Sequence, residues 1–352
     1  MYKIYRFYLG SDLNRNYPFF FIPLPQKTEP KMKTHYIILL IVCFVSACSS
    51  SKKTQSETAS EDWKTYSQTL AKDTFLLPEI PDAMTESNER AIFLCMHYWD
   101  RFDFTNEKLI DRPDVTEQAF VDYINVLSYV RENEAKTSLR ITIEKASANK
   151  AMLQHFASLF EKYYYGPHSP FRNEDMYLEV LRQLVKSPVL EKEKKSIYEF
   201  QLEMIQKNRV GSKANNFDYT VASGKTSDLY SLQSDYLILI FINPGCNTCK
   251  AAINSILTNS NIQSALRRNN ANRTFLSIMT MYPGDSYSEW AEYLNELPAE
   301  WINAYDKNGT IFKKRLYDIQ ATPVIYLLDK SKKVILKDAS VEELSRFFSL
   351  DR

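Results

Sequence analysis

Glycine is scarce in this sequence, with only 7 in 352 residues. The glycine-rich loops that bind nucleotide phosphates cannot be assembled from so few, so a common nucleotide-binding domain is not expected. Neither sign of charge is in excess, because 44 lysines and arginines stand against 43 aspartates and glutamates. A net charge of +1 provides no field that would attract nucleic acid or an anionic membrane surface.

Histidine and cysteine are also few, with 4 and 5 in the chain. A structural zinc site usually needs about four cysteine or histidine ligands. Cys246 and Cys249 form a C-x-x-C pair, but no second pair accompanies them, and the histidines His97, His155 and His168 lie far away in the chain. We therefore expect no metal site.

The N-terminal part contains a targeting signal. The stretch YIILLIVCFVSA, residues 36–47, has 12 residues and follows two lysines, and it is shorter than the roughly 20 residues that span a bilayer. It fits the apolar region of a signal peptide. Its end, Val45-Ser46-Ala47-Cys48, resembles the lipobox of bacterial lipoproteins, which implies cleavage before Cys48 and lipidation of that residue. An ordinary signal peptide is the alternative, and both export the protein.

Three N-terminal segments follow from this signal. We expect residues 32–48 to be the lipoprotein signal peptide and residues 1–31, which precede Met32, to be a misannotated upstream extension. Residues 49–62 are polar and should form a flexible tether. Serines and lysines rather than acids follow Cys48. Outer-surface bacterial lipoproteins often have acids at these positions, so we expect a lipid-anchored protein of the cell envelope that faces the periplasm.

Residues 63–206 have a helical pattern. Apolar residues recur at spacings of three and four, as in Ile92, Cys95, Met96 and Trp99, and again in Phe120, Ile124 and Leu127. Asp114 to Glu117 has the form of a capping box. Tyr163 to Tyr165 are interpreted as packing at a helix end, before the breakers Gly166, Pro167 and Pro170. The sequence predicts an all-α domain here.

From residue 210 to residue 352 strands and helices alternate. The run YLILIFI is apolar on both faces, as expected of a central strand covered on two sides. We predict strands at 236–242 and 274–282, helices at 248–259, 287–297 and 340–348, and a hairpin formed by 322–329 and 333–338. Ser340 should cap the last helix. The expected fold class is α/β, with a mixed central sheet flanked by helices.

The cysteine pair falls where a predicted strand turns into a helix. Free backbone N–H groups and the helix dipole favour a thiolate there, so the pKa of Cys246 should fall below the free value of about 8.5. Cys246 is the expected nucleophile, and Cys249 is expected to resolve the mixed disulfide. A vestigial site on a binding protein is the alternative. No cofactor beyond this redox-active disulfide is expected.

Together, the C-x-x-C pair, Thr322-Pro323 and the strand order of residues 210–352 resemble the thioredoxin-like superfamily, in particular its membrane-anchored periplasmic branch of TlpA and ResA type. The resemblance implies that Pro323 is cis and lies against the active-site disulfide. It also implies that the Thr322 backbone pairs with an extended substrate segment.

The sequence departs from that family at several positions. Ile240 stands where many thioredoxins have a buried acid, and Ala252 stands where TlpA-like members often have a glutamate. Gly245, after Pro244, replaces the usual tryptophan, and Asn247 and Thr248 separate the cysteines. The exchange chemistry itself needs only the two thiols.

The helical region has a resemblance of its own. Residues 97–120 and 169–177 resemble an uncharacterised domain that precedes thioredoxin-like domains in lipoproteins of the Bacteroidetes. That likeness implies an architecture and no chemistry.

The resulting hypothesis is an exported, lipid-anchored thiol-disulfide oxidoreductase, an enzyme whose partners are protein thiols and disulfides and a membrane electron donor. A non-catalytic binding or stress-related lipoprotein with a thioredoxin-fold scaffold is the first alternative. A peroxiredoxin-like peroxidase is the second, but its P-x-x-x-T-x-x-C setting is not present around Cys246.

Overall fold

A computed structural model of the chain describes residues 75–167 and 169–350. The proposed extension, signal peptide, lipidated Cys48 and tether lie outside the described residues and stay predictions. The chain divides into two compact units, Met1–Ala135 and Lys136–Arg352. The boundary that we predicted between residues 206 and 210 marks the change from helices to a sheet, and as a domain boundary it stays a prediction.

The described part of the first unit is helical and has an aromatic core. It contains helices α1 (Ser87–His97) and α2 (Thr116–Leu127) and a 3₁₀ turn at Glu107–Leu109. The Trp99 ring lies 5.3 Å from that of Phe102 and 5.5 Å from that of Tyr123, in edge-on contacts, which are favourable for aromatic pairs. The predicted apolar faces are confirmed by the burial of Cys95, Trp99, Phe120, Ile124 and Leu127.

The predicted capping box of α2 is wrong. The helix begins at Thr116, with Val115 at the N-cap position and no side-chain cap. The Asp114 carboxylate instead accepts hydrogen bonds of 3.0 and 2.8 Å from the Arg112 guanidinium. A carboxylate held by a neighbouring cation is not available to cap the helix.

Further helices precede the sheet. Asparagine side chains cap two of them, since Asn149 accepts from the N–H of Met152 and Asn173 accepts from that of Met176. The helices are α3 (Glu132–Ala146), α4 (Lys150–Phe160), a π-helical turn (Glu161–Tyr165), α5 (Glu174–Lys186) and α6 (Lys192–Ile205). The predicted helical pattern is confirmed, with the breakers between Tyr165 and α5.

The described residues after α6 form a seven-stranded mixed sheet in the order β2-β1-β5-β4-β3-β6-β7. The strands are β1 (Asp218–Val221), β2 (Thr226–Asp228), β3 (Tyr236–Phe241), β4 (Leu276–Tyr282), β5 (Ile302–Tyr305), β6 (Val324–Asp329) and β7 (Val334–Leu336). Strand β3 pairs in parallel with β4 and antiparallel with β6. It is central and buried from Leu237 to Phe241, as its two-faced apolar pattern predicted.

Successive side chains of β3 enter different cores on the two faces of the sheet. Ile238 and Ile240 lie in one core, and Leu237, Leu239 and Phe241 lie in the other. The helices of this region are α7 (Asn247–Thr258), α8 (Ser260–Leu266), α9 (Tyr287–Tyr293), α10 (Thr310–Lys313) and α11 (Val341–Leu350). Helices α7, α8 and α11 contribute to the first core, so α7 is held firmly on the sheet.

The predicted α/β fold is confirmed. Ser340 caps α11, accepting from the Glu343 N–H at 3.2 Å, while the Glu343 carboxylate accepts from the Ser340 N–H at 2.8 Å. The short strands β1, β2 and β5 and the helices α8 and α10 were not predicted. They are three to seven residues long and too short for a clear periodic pattern.

Candidate active site

The cysteine pair is placed by a tight turn between β3 and α7. The Cys246 N–H donates to the Asn243 carbonyl at 3.2 Å, which closes a turn with Pro244 and Gly245 in its centre. Gly245 has φ of +75°, a left-handed conformation that glycine adopts at low cost and that suits the position after proline in such a turn. The departure from the usual tryptophan therefore has a local backbone reason.

Cys246 is the N-cap residue of α7, and Asn247 is the first residue of the helix, exposed to solvent. The Lys250 N–H donates to the Cys246 carbonyl at 3.1 Å, which starts the helical hydrogen-bond pattern. The Cys249 N–H donates to the Cys246 sulfur at 3.1 Å. An N-cap sulfur thus takes the place that a serine or aspartate oxygen usually has, and the helix N-terminus is directed at it.

Cys246 and Cys249 form a disulfide with a Cα to Cα distance of 5.2 Å. The two sulfurs have different environments: Cys249 is fully buried, whereas Cys246 is half-buried. An attacking or attacked sulfur must be reached from solvent. The geometry gives that access to Cys246 and keeps Cys249 behind it, in the core that contains Ile253 and Ile256.

The loop before β6 lies against the outer sulfur. The Thr322-Pro323 peptide bond is cis, and both residues are half-buried. The Cys246 sulfur lies 3.4 Å from the Thr322 carbonyl oxygen and 3.5 Å from the Thr322 hydroxyl oxygen. A disulfide sulfur carries no proton, so its approach to the carbonyl is a contact and not a hydrogen bond. The structure thus brings these four residues, predicted from distant parts of the chain, to one place.

Thr248 connects the cysteine turn with this loop. Its hydroxyl donates to the Thr322 carbonyl oxygen at 3.0 Å and lies 3.2 Å from the Cys246 sulfur. The side chain is exposed, so the contact is made at the surface of the site. The Thr322 carbonyl, which the resemblance assigned to substrate, is therefore hydrogen-bonded within the chain when the disulfide is closed.

Apolar side chains occupy the two positions to which the family resemblance assigns an acid. Ile240 is fully buried in the same core as Cys249, and Ala252 packs against that core. Glu289, another acid of this region, accepts a hydrogen bond of 2.8 Å from the Tyr282 hydroxyl. Burial raises the pKa of Tyr282, and the hydrogen bond to the Glu289 carboxylate raises it further, to about 12.

A buried polar junction holds the segment that leads to the Thr322-Pro323 loop. The Tyr165 hydroxyl donates to the Asp318 carboxylate at 2.8 Å, and both residues are buried. Burial, with the Asp318 charge adding to it, raises the pKa of Tyr165 well above its usual range. The sequence contained no signal for this pair, because 153 positions separate the residues.

The same junction includes ion pairs. The Arg172 guanidinium lies 2.7 Å from the Asp338 carboxylate, and the Lys337 ammonium lies 2.8 Å from the Glu174 carboxylate. All four side chains are less than a fifth exposed, so these pairs are shielded from salt more than surface pairs are. They connect the start of α5 with the end of the β6-β7 hairpin.

Two features are absent from the described ranges, 75–167 and 169–350. No helix in them has the length and apolar character needed to cross a membrane. No group of three or more histidine, cysteine, aspartate or glutamate side chains in them is arranged to hold a metal ion.

A central strand that leads into a C-x-x-C disulfide at a helix start, with a cis-proline loop beside it, defines a thioredoxin-like domain. A thioredoxin-like protein from Bacteroides caccae is similar to this chain, with 41% identity over 79% of this chain and 99% of that one and a TM-score of 0.72. The chain belongs to the thioredoxin-like family, and the family described as "Domain of unknown function (DUF5106)" matches residues 47–208.

Other solved structures match about two fifths of the chain. They include the C-terminal domain of an uncharacterized protein from Bacteroides fragilis, with 37% identity over 40% of this chain and 98% of that one and a TM-score of 0.38. A domain of a possible thiol-disulfide isomerase from Cytophaga hutchinsonii has 30% identity over 42% of this chain and 95% of that one, with a TM-score of 0.32. No curated protein gave a significant match.

Proposed function

We propose that this chain is an exported, lipid-anchored thiol-disulfide oxidoreductase that exchanges disulfides with protein substrates through Cys246 and Cys249. The observation that carries the proposal is the asymmetry of the disulfide. A reachable sulfur lies at the start of α7, its partner lies buried behind it, and the Thr322 backbone lies beside it. This arrangement suits attack by one thiol and resolution by the other.

In the direction of client reduction, the Cys246 thiolate attacks one sulfur of a client disulfide. That bond breaks, the departing client sulfur leaves as a thiolate and takes a proton from solvent, and a mixed disulfide with Cys246 remains. Cys249 then loses its proton and attacks the Cys246 sulfur, which closes the Cys246-Cys249 disulfide and releases the second client thiolate. The client gains two electrons and the protein loses two, and a membrane dithiol donor restores the reduced form.

The electrostatics of the site support the first step. The Cys249 N–H, the Thr248 hydroxyl and the Thr322 hydroxyl surround the Cys246 sulfur at 3.1, 3.2 and 3.5 Å. Hydrogen-bond donors and the positive end of a helix stabilise a thiolate relative to a thiol. For the resolving step, apolar side chains occupy the two positions, Ile240 and Ala252, to which the family resemblance assigns a proton-accepting acid.

Reduction of insulin disulfides by the purified protein, with dithiothreitol as the electron source, tests the catalytic claim. We expect catalysed precipitation of insulin chains by the wild type and none by Cys246→Ser. Cys95→Ala is the matched control, because Cys95 is a buried cysteine of α1 and does not belong to the C-x-x-C pair, and it should retain the activity. An inactive wild type, or equal activity of Cys246→Ser, would leave the binding-protein alternative in its place.

Cys249→Ser tests the order of the two steps. Without the resolving thiol the mixed disulfide with Cys246 should accumulate, visible as a covalent client adduct on a non-reducing gel. Accumulation with Cys246→Ser instead would reverse the assigned roles.

The proposed anchor depends on Cys48, and metabolic labelling with a fatty-acid analogue tests it. Cells expressing the wild type should incorporate label into the protein, and cells expressing Cys48→Ser should not. Cell fractionation then tests the envelope location, since we expect the wild type in the membrane fraction and the variant released from it. Label on both proteins would exclude lipidation at Cys48.

A further inference from the structure

One hydroxyl hydrogen at the site has two acceptors within reach. The Thr248 oxygen lies 3.0 Å from the Thr322 carbonyl oxygen and 3.2 Å from the Cys246 sulfur. A threonine hydroxyl donates a single hydrogen. In the disulfide form the sulfur is a weak, uncharged acceptor, so the hydrogen goes to the carbonyl.

Reduction changes the ranking of the two acceptors. A Cys246 thiolate carries a full negative charge, and hydrogen bonds to charged acceptors are roughly twice as strong as neutral ones. The sulfur is already within hydrogen-bonding distance of the Thr248 oxygen. Turning the O–H bond about the Cβ–Oγ1 bond then directs the hydrogen at the sulfur, and the Thr248 oxygen itself does not have to move.

We propose that the Thr248 hydroxyl changes its acceptor with the redox state, from the Thr322 carbonyl in the disulfide form to the Cys246 thiolate in the reduced form. Because it touches the reacting sulfur, Thr248 is then a catalytic residue of the exchange, and the inference rests on the function proposed above. No proton is transferred, since the hydrogen stays on the Thr248 oxygen in both states.

The other donors to this sulfur do not have the same choice. The Cys249 N–H donates to it already in the disulfide form, at 3.1 Å, and remains a donor in the thiolate. The Thr322 hydroxyl lies further away, at 3.5 Å. The negative charge on the sulfur strengthens these contacts as well, but the Thr248 hydrogen bond is the one that reduction newly forms.

The change has a consequence for client binding. Once the hydroxyl turns to the thiolate, the Thr322 carbonyl loses its internal donor. In the disulfide form this carbonyl oxygen lies 3.4 Å from the Cys246 sulfur, so it is next to the reacting atom. A backbone N–H of an extended client segment would supply the missing donor. Thr248 thus presents the carbonyl to a client when the thiolate is ready to attack, and withdraws it when the disulfide has formed.

Alkylation of the reduced protein tests this proposal. The rate of iodoacetamide reaction at Cys246, followed by mass spectrometry of the peptide across a pH series, reports the thiolate fraction. Thr248→Val has the same shape without the hydroxyl, and we expect the profile to move to higher pH, with the rate near pH 6 falling about tenfold, the change that a shift of about one pKa unit gives. Thr248→Ser keeps the hydroxyl and should follow the wild type.

An unchanged profile for Thr248→Val would overturn the proposal, and so would equal shifts for the valine and serine variants, because these would indicate a packing effect. The NMR carbonyl shift of Thr322 tests the other half: reduction should move it more in the wild type than in Thr248→Val. Equal changes would refute the change of acceptor. Alkylation needs no client, so an inactive protein in the insulin assay refutes the proposed function separately.

Discussion

Replacing Tyr165 by phenylalanine removes one buried hydroxyl and leaves the ring in place. The ring stacks on that of Tyr177, with centroids 4.9 Å apart, and lies beneath the Arg172 guanidinium, contacts that phenylalanine retains. The loss is the 2.8 Å hydrogen bond to Asp318. A hydrogen bond to a charged group contributes about 1.5–3 kcal/mol. Because Gln320 still donates to Asp318 at 3.2 Å, we expect the lower end, about 1.5–2 kcal/mol.

Urea-induced unfolding of the purified disulfide form measures this difference. The free energy of unfolding of Tyr165→Phe should be lower than that of the wild type by this amount, with the slope against urea unchanged. Tyr129→Phe is the control, since Tyr129 is 45% exposed, and surface substitutions usually change stability by less than about 0.5 kcal/mol. A Tyr165→Phe variant as stable as the control would show that the junction does not hold the Asp318 segment.

Three further predictions concern stability. Gly245→Ala should destabilise the protein by about 1–2 kcal/mol, because its φ of +75° disfavours a Cβ, and an unchanged urea midpoint would contradict this. Ile256→Ala should cost about 2–5 kcal/mol in the same assay, because the side chain is fully buried; the 49% exposed Ile197 is its control, and equal effects would refute the assignment of the core. The pKa of Tyr282 is raised to about 12 from an ordinary value of 10.0. Above about pH 10 the unfolded state therefore loses a proton that the folded state keeps, so the free energy of unfolding should fall as pH rises. A thermal midpoint that rises between about pH 10 and 11 would contradict that sign.

The local sequence determined the central part of the site. Strand β3 could be predicted because five successive buried apolar residues need cover on both faces, and the cysteine turn could be placed because Pro244 and Gly245 punctuate the chain before α7. These are properties of neighbouring residues, and a sequence displays them directly. The predicted capping box of α2 is wrong for a related reason. The pattern shows that Asp114 could cap a helix, but it does not show that the Arg112 guanidinium binds the Asp114 carboxylate.

Only the tertiary structure decided which distant residues meet. The Thr322 carbonyl reaches Thr248 across 74 positions and Asp318 reaches Tyr165 across 153, contacts that depend on the order of strands in the sheet and leave no periodic trace in the chain. The resemblance to a known family indicated that Pro323 lies at the disulfide, but not that a hydroxyl between the cysteines occupies the Thr322 carbonyl. Hydrogen bonds act over about 3 Å, so their partners are known only when the folded backbone has set those distances.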